Sequence, residues 1–244
     1  FNSPRTPPQT ALYRADGTLV RWIEENALKP GHPFWPYAER LREPQFGTIK
    51  AADGQDLYWS MRTPPDFDPS KRYPAIVQVY GGPGSSMVMK SWAAPEDQLL
   101  LDAGYILFRL DNRGTPHRSA AFKTAIDRRM GQLEVDDQLA GARYLASLPY
   151  VDKARMGVTG WSYGGYMTLL LLTAPDSPFK AGVAGAPVTD WALYDTHYTE
   201  RYMGTPVDNA AGYKATELVA RMPALKPGSL MLMHGMADDN VTFD

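Results

Sequence analysis

The sequence predicts an α/β protein organised around a mostly parallel β-sheet. Three observations predict this fold class: short, nearly continuous apolar runs, stretches of helical periodicity between them, and a Gly, Pro or acidic residue near the end of several runs. Strands that are apolar along their whole length are buried on both faces, as in a parallel sheet covered by helices. The composition, with 44% hydrophobic and 21% charged residues among 244, is typical of a globular protein.

Five apolar runs predict the parallel strands, at residues 75–80, 105–108, 156–159, 181–184 and 230–233. Residues 133–148 have helical periodicity, and the predicted apolar face consists of Leu139, Ala142, Leu145 and Ala146. Glu134, Asp136 and Asp137 open this helix, where carboxylates favour the positive end of the helix dipole. We interpret these three acids as structural.

The first part of the chain has a different character. Of the 21 prolines, 10 lie in the first 70 residues. Two hairpins are predicted there, around Asp16-Gly17 and Asp53-Gly54, because glycine accepts the positive φ of a tight turn. We expect residues 1–45 to form a separate region and residues 46–244 to form the α/β domain.

Charge and composition exclude several classes of function. The 25 Lys and Arg residues against 27 Asp and Glu leave a net charge of -2, which offers no basic surplus for binding a nucleic acid. The absence of cysteine excludes disulfides, thiolate metal sites and a cysteine nucleophile. The longest apolar runs, such as residues 169–172, fall far short of the roughly 18 residues that span a bilayer. Nothing in the sequence implies a metal or organic cofactor.

The strongest motif is a Gly-x-Ser-x-Gly pentapeptide with Ser162 at its centre. It lies between the predicted strand 156–159 and a helical run at residues 165–172. In this context the serine occupies a strained strand-to-helix turn and its hydroxyl projects from the sheet. The N–H of Tyr163, at the start of the helix, can then face a developing oxyanion. The motif predicts that Ser162 is a nucleophile.

A nucleophilic serine needs a base and an acid that orients it, in the chain order Ser, acid, His on this fold. Asp238 and Asp239 both qualify as the acid, since they follow the last predicted strand at the edge where ligands bind. None of the four histidines, His32, His117, His197 and His234, lies after these acids, and we interpret all four as structural. We expect the base beyond Asp244.

Three longer strings make the sequence resemble the prolyl oligopeptidase family of serine peptidases, and within it the dipeptidyl peptidase IV branch. They are Gly-Trp-Ser-Tyr-Gly-Gly-Tyr at 160–166, Tyr-Thr-Glu-Arg-Tyr-Met-Gly at 198–204 and His-Gly-Met-Ala-Asp-Asp-Asn-Val at 234–241. The likeness runs from about Phe46 to the last residue and is weaker before it. It implies an α/β-hydrolase fold, with the end of a β-propeller and a connector in residues 1–45.

The resemblance also implies roles for individual residues. Ser162 matches the nucleophile, Asp238 the acid of the triad, and Tyr80 a hydroxyl that donates to the oxyanion together with the Tyr163 N–H. Asn240 matches an amide that binds a substrate carbonyl. The residues that match an apolar box for proline are Val188, Trp191, Tyr194, Tyr198 and Val241.

Part of this box can be judged from the residues themselves. Trp191, Tyr194 and Tyr198 have the spacing i, i+3, i+7, which predicts three rings on one helical face. Such a stripe fits either a core or a pocket, and its position after the strand beside the serine strand favours the pocket.

The implied activity is that of a serine exopeptidase which removes N-terminal dipeptides from peptides with Pro or Ala second. The alternatives are a related prolyl oligopeptidase or acylaminoacyl peptidase, and a non-catalytic member that binds peptides. We expect residues 1–244 alone to be inactive, because the family's histidine would follow Asp244. For the full-length protein the resemblance favours a homodimer, and a periplasmic or cell-surface location over a cytoplasmic one.

Overall fold

The computed structural model describes residues 1–92 and 95–243, which form two β-sheets with helices around the larger one. The strands are β1 (Thr10–Tyr13), β2 (Leu19–Glu24), β3 (Gln45–Lys50), β4 (Asp56–Arg62), β5 (Tyr73–Gln78), β6 (Ile106–Asp111), β7 (Val151–Trp161), β8 (Ala181–Gly185) and β9 (Leu230–Met233). The helices are α1 (Pro95–Asp102), α2 (Ala120–Lys123), α3 (Leu133–Ser147), α4 (Tyr163–Thr173), α5 (Thr196–Met203) and α6 (Ala210–Thr216).

The larger sheet has seven strands in the order β3-β4-β6-β5-β7-β8-β9. β3 and β4 pair antiparallel, β4 pairs antiparallel with β6, and the remaining pairs from β6 to β9 are parallel. All five predicted parallel strands are present. The prediction of a mostly parallel α/β sheet is therefore confirmed.

Both predicted hairpins form. β1 pairs antiparallel with β2 and β3 with β4, and the turn glycines Gly17 and Gly54 each have a φ of +84°. The β1–β2 hairpin lies outside the larger sheet, and the apolar side chains Trp22 and Ile23 on β2 are exposed. Hairpin β3–β4 instead starts the larger sheet through β6.

Helix α4 lies at the centre of the molecule. All of its eleven residues are buried, since it packs against β7 and β8 and against α3. A helix that is apolar on every side is stable only inside a core. The core around it includes Phe108 on β6, Met156 on β7 and Tyr166 on α4 itself. Burial on all sides fixes the start of α4, and with it the residue that precedes the helix.

Helix α3 forms as predicted, and its predicted apolar face packs against the core, with Leu139 and Ala146 partly buried there. Ala142 and Leu145 are buried, together with Glu134 and Asp137, while Asp136 is exposed. Two of these acids have partners beyond the helix dipole. Asp137 accepts hydrogen bonds from the buried guanidinium of Arg113, and Glu134 accepts one from the hydroxyl of Tyr163.

None of the helices in the described part of the chain has both the length and the apolar character needed to cross a membrane.

Candidate active site

Ser162 occupies a sharp turn between the end of β7 and the start of α4. Its φ of 57° and ψ of −117° are uncommon for a residue with a side chain and cost on the order of 1–3 kcal/mol. Two hydrogen bonds hold the turn: Ser162 N donates to Gly185 O at 2.8 Å, and Tyr166 N donates to Ser162 O at 3.0 Å. The half-buried Ser162 side chain does not cap the helix and is left available for chemistry.

Two glycines allow this turn to lie against β5. A Cβ atom on Gly160 would lie 2.3 Å from the carbonyl oxygen of Val79, and one on Gly164 would lie 2.2 Å from the same oxygen. Real Cβ atoms do not approach backbone this closely, so any side chain at either position pushes the turn away from β5. The glycines of the motif are therefore required by a close approach of backbone to backbone.

Two groups that can donate hydrogen bonds lie in or beside the serine turn. Tyr163 is the first residue of α4, and the N–H groups of a first helical turn have no acceptor within the helix. Tyr80 follows β5, and its ring lies 5.9 Å from the ring of Tyr163 between centroids. Burial raises the pKa of the Tyr80 hydroxyl, so it stays protonated and can donate at neutral pH.

Asp238 lies in the loop after β9 and is held by the backbone of that loop. Its Oδ1 accepts hydrogen bonds from Val241 N at 3.0 Å and from Asn240 N at 3.1 Å. These hydrogen bonds lower the pKa of the Asp238 carboxyl, so it is ionised at neutral pH. The neighbouring Asp239 is exposed. The structure of this loop therefore distinguishes Asp238 from Asp239, whereas their positions in the sequence do not.

The histidines have other partners. His234 Nε2 lies 2.8 Å from Val241 O, to which it can only donate, and 3.7 Å from Asp238 Oδ2. His197 contacts Arg201, and His32 contacts Asn26. Among the residues that the structure describes, no hydrogen bond joins a histidine to the Ser162 hydroxyl. Their interpretation as structural stays a prediction.

The aromatic residues after β8 form a cluster, although not on one helix. Trp191 lies in a short 3-10 turn, Tyr194 is extended, and α5 begins only at Thr196, so the predicted single helical face is wrong. The rings still meet: Trp191 stacks on Tyr198 with centroids 6.0 Å apart, and Tyr194 meets Trp191 edge-on at 5.7 Å. Trp191 is fully buried, whereas Tyr194 and Tyr198 are half-buried. Trp191 thus lies beneath the two tyrosines.

The remaining predicted site residues adjoin this cluster. The Tyr194 hydroxyl donates to Asn240 Oδ1 at 3.0 Å, which ties the cluster to the loop of Asp238. Val188 and Val241 are both buried, and together with Tyr194 they line a small cavity of about 20 Å³. Tyr163 connects the cluster to the serine turn, because its ring lies 5.2 Å from the ring of Trp191 between centroids. All predicted residues therefore belong to one continuous set of contacts.

A larger cavity lies elsewhere. Its volume is about 690 Å³, and it is lined by β5, β7, β8 and β9 without any of the predicted site residues. Its lining is mainly apolar, and its polar side chains, Arg155, Thr159, Lys180 and Ser229 among them, include, within the described part of the chain, no acid or histidine that could activate a nucleophile. Within residues 1–92 and 95–243, no three His, Asp or Glu side chains are grouped so that they could bind a metal ion.

One residue beneath the serine turn is absent from the predicted site. Glu134 on α3 is fully buried, and its Oε1 accepts from Tyr163 Oη at 2.7 Å. The sequence holds a signal for it: Glu134 is eight and eleven residues before Ala142 and Leu145, which places all three on the same face of the helix.

A parallel sheet with helices, a strained serine at a strand–helix turn and an acid in the loop after a later strand define an α/β-hydrolase. The sequence model of the prolyl oligopeptidase family matches residues 92–244. The chain belongs to that family.

Curated relatives and solved structures that are similar to this chain are named dipeptidyl peptidases or dipeptidyl-aminopeptidases. The chain is 40% identical to human dipeptidyl peptidase 8 over 206 residues, covering 82% of this chain and 23% of the relative. It is 41% identical to a probable dipeptidyl-aminopeptidase B of Metarhizium robertsii over 253 residues, covering 100% of this chain and 27% of the relative.

The crystal structure of Porphyromonas gingivalis dipeptidyl peptidase 4 superposes with a TM-score of 0.88 at 38% identity, covering 99% of this chain and 34% of that one. The chain thus spans about a quarter to a third of the length of these proteins.

Proposed function

We propose that the protein containing this chain is a serine exopeptidase that removes dipeptides from peptides with Pro or Ala as the second residue. The observation that carries the proposal is Ser162, held at positive φ on the strand–helix turn next to the Tyr163 N–H, with the Tyr80 ring packed against the ring of Tyr163. The names of the relatives, which are dipeptidyl peptidases and dipeptidyl aminopeptidases, support the same chemistry.

Catalysis follows from the order of these groups. Ser162 Oγ attacks the substrate carbonyl carbon while its proton passes to a histidine base that Asp238 orients. The carbonyl oxygen becomes an oxyanion and accepts hydrogen bonds from the Tyr163 N–H and the Tyr80 hydroxyl. The intermediate then expels the amine, which takes the proton from the histidine, and water hydrolyses the acyl-enzyme by the same steps.

The aromatic cluster supplies the preference for proline. A pyrrolidine ring is apolar and compact, and the half-buried faces of Tyr194 and Tyr198 over Trp191 provide an apolar wall against which it can pack. Asn240 is exposed, and its amide nitrogen remains free to bind a substrate carbonyl while its oxygen accepts from Tyr194. Alanine fits the same box with fewer contacts.

Chromogenic Gly-Pro substrates with a free or an acetylated amino terminus test this function on the full-length protein. We expect turnover of the free substrate alone, and a loss of about 10⁴-fold or more in Ser162→Ala, because the members of a triad act as a unit. Ser147→Ala is the matched control, since Ser147 is exposed at the end of α3 and should retain full activity. Equal cleavage of the acetylated substrate would instead assign a related oligopeptidase or acylaminoacyl peptidase.

A further inference from the structure

Glu134 is a buried acid without a cationic partner among the described residues. Its side chain is fully buried, and its Oε1 accepts from Gly131 N at 2.9 Å and from Tyr163 Oη at 2.7 Å. Its Oε2 has no hydrogen-bond partner within the described part of the chain. Because burying an unpaired carboxyl is costly, a neutral side chain would serve a purely structural contact better. Burial also raises the pKa of this carboxyl to about 7.

A second acid on the same helix shows the contrast. Asp137 is equally buried, one turn further along α3, but it is paired with Arg113: Nη2 to Oδ1 is 2.7 Å and Nε to Oδ2 is 3.0 Å. Asp137 joins α3 to the loop after β6, and in the described part of the chain no hydrogen bond joins it to the serine turn or its aromatic cluster. Helix α3 therefore has one acid that forms an ion pair and one that is directed at the active site.

The partner of Glu134 lies where the parts of the site meet. The ring of Tyr163 is fully buried and lies 5.9 Å from the ring of Tyr80 and 5.2 Å from the ring of Trp191. On another side it lies against Gly82, where an added Cβ would be 2.5 Å from Tyr163 Cγ. Any movement of this ring therefore displaces Tyr80, Trp191 or the loop after β5, which surround it beside the serine turn.

We propose that Glu134 is a positioning residue of the active site: by accepting the Tyr163 hydroxyl, it fixes the ring against which Tyr80 packs, and so holds Tyr80 toward the oxyanion next to the Tyr163 N–H. The inference rests on the proposed function, because it assumes that these two groups are the donors. Glu134 does not touch the substrate. Its contribution is to limit the motion of the Tyr163 ring, whose neighbours contact the substrate.

A purely structural role makes different predictions. A contact that only joins α3 to α4 lowers the amount of folded enzyme and leaves each folded molecule fully active. A positioning contact lowers kcat per active molecule and leaves KM unchanged, because the oxyanion exists only during the reaction. Misplacement of a catalytic group by about 1 Å can reduce the rate as much as about 100-fold.

The experiment measures kcat and KM of the full-length protein on a Gly-Pro substrate, with active molecules counted by fluorophosphonate titration. We expect Glu134→Ala and Tyr163→Phe each to lower kcat about 10- to 100-fold with KM within about threefold of wild type. Glu134→Gln retains an acceptor oxygen and should stay within about threefold of wild type in kcat. The double variant Glu134→Ala/Tyr163→Phe should be no worse than either single variant, because both remove the same contact.

Asp137→Asn is the matched control, buried on the same helix but paired elsewhere, and its kcat per active molecule should not change. A kcat within twofold of wild type in both Tyr163→Phe and Glu134→Ala overturns the inference, as does an equal loss of kcat in the Asp137→Asn control. The proposed function fails separately: wild-type protein without Ser162-dependent turnover overturns both proposals, whereas Ser162-dependent turnover with unaffected variants overturns this one alone.

Discussion

Two adjacent acids after β9 are held differently by the local backbone. Asp238 and Asp239 have the same chemistry and the same position after β9; the resemblance favoured Asp238, and the structure shows a physical difference between the two. The carboxylate of Asp238 accepts two backbone N–H groups of its own loop, whereas Asp239 is exposed. A side chain fixed in this way can orient a base, because its own rotamer is already restricted.

This difference gives a prediction with an internal control. Asp238→Asn should lower kcat on a prolyl substrate by about 10³- to 10⁴-fold, because an amide does not stabilise the charged base. Asparagine keeps an acceptor oxygen for Val241 N, so the loop should stay folded. Asp239→Asn should stay within about threefold of wild type. Steady-state kinetics of both variants checks this, and equal losses would mean that the acid is not Asp238.

Glu134 makes a prediction about stability and pH. Its folded pKa, about 7, lies above the ordinary value of 4.5, chiefly because of burial and partly because of the nearby Asp137 carboxylate. Tyr163 and Tyr166, which face it from α4, stay neutral because burial raises their pKa as well. Between pH 4.5 and about 7, the folded state therefore keeps a proton on Glu134 that the unfolded chain has released.

The raised pKa of Glu134 sets the direction in which stability changes with pH. The contribution of Glu134 is fully present below about pH 4.5 and is lost as pH rises through about 7, a total of about 3 kcal/mol. Compared with Glu134→Gln, the wild type should therefore lose free energy of unfolding between pH 4.5 and 7.5. Urea unfolding of both proteins across this range measures the difference. A difference that grows in favour of the wild type as pH rises would contradict the assignment.

At the scale of whole elements, the sequence predicted the parallel strands and both hairpins, because apolar runs and Asp-Gly turns are local signals. It mispredicted the segment after β8, where the i, i+3, i+7 spacing suggested a helix. Trp191 and Tyr198 stack across a break between a 3-10 turn and α5, so their contact is tertiary and leaves no local period. Glu134 was missed for a different reason: its place in the first turn of the helix suggested a contact with the helix dipole, although its helical phase indicated burial.

The serine turn supplies a prediction that compares two glycines of one strand. A Cβ on Gly160 would lie 2.3 Å from Val79 O, whereas a Cβ on Gly157, also in β7, would lie 3.4 Å from Ala181 O. Gly160→Ala should therefore lower the free energy of unfolding by about 2 kcal/mol or more, as overpacking typically does. Gly157→Ala should change it by less than about 1 kcal/mol. Urea unfolding of the two variants measures both changes. Equal losses of stability would contradict the claim that Gly160 is required by its close approach to Val79 O.

Across the whole molecule, the candidate site is assembled at the carboxyl ends of parallel strands. Tyr80 follows β5, Ser162 follows β7, the aromatic cluster follows β8, and Asp238 follows β9. These segments are far apart in the chain and adjacent in the sheet, since β5, β7, β8 and β9 are consecutive neighbours. The topology could be anticipated from the order of strands and helices. The contacts among the side chains, such as Tyr194 with Asn240, could not.

The central claim is that Ser162 is an activated nucleophile, and covalent labelling tests it most directly. The full-length protein is treated with a fluorophosphonate probe, native and after unfolding in urea, and the modified peptide is identified by mass spectrometry. Activation depends on the folded arrangement of base, acid and donors. We predict one label per native chain, on Ser162, and none on the unfolded protein. A native protein that remains unlabelled, or that carries the label on another serine, would contradict the claim.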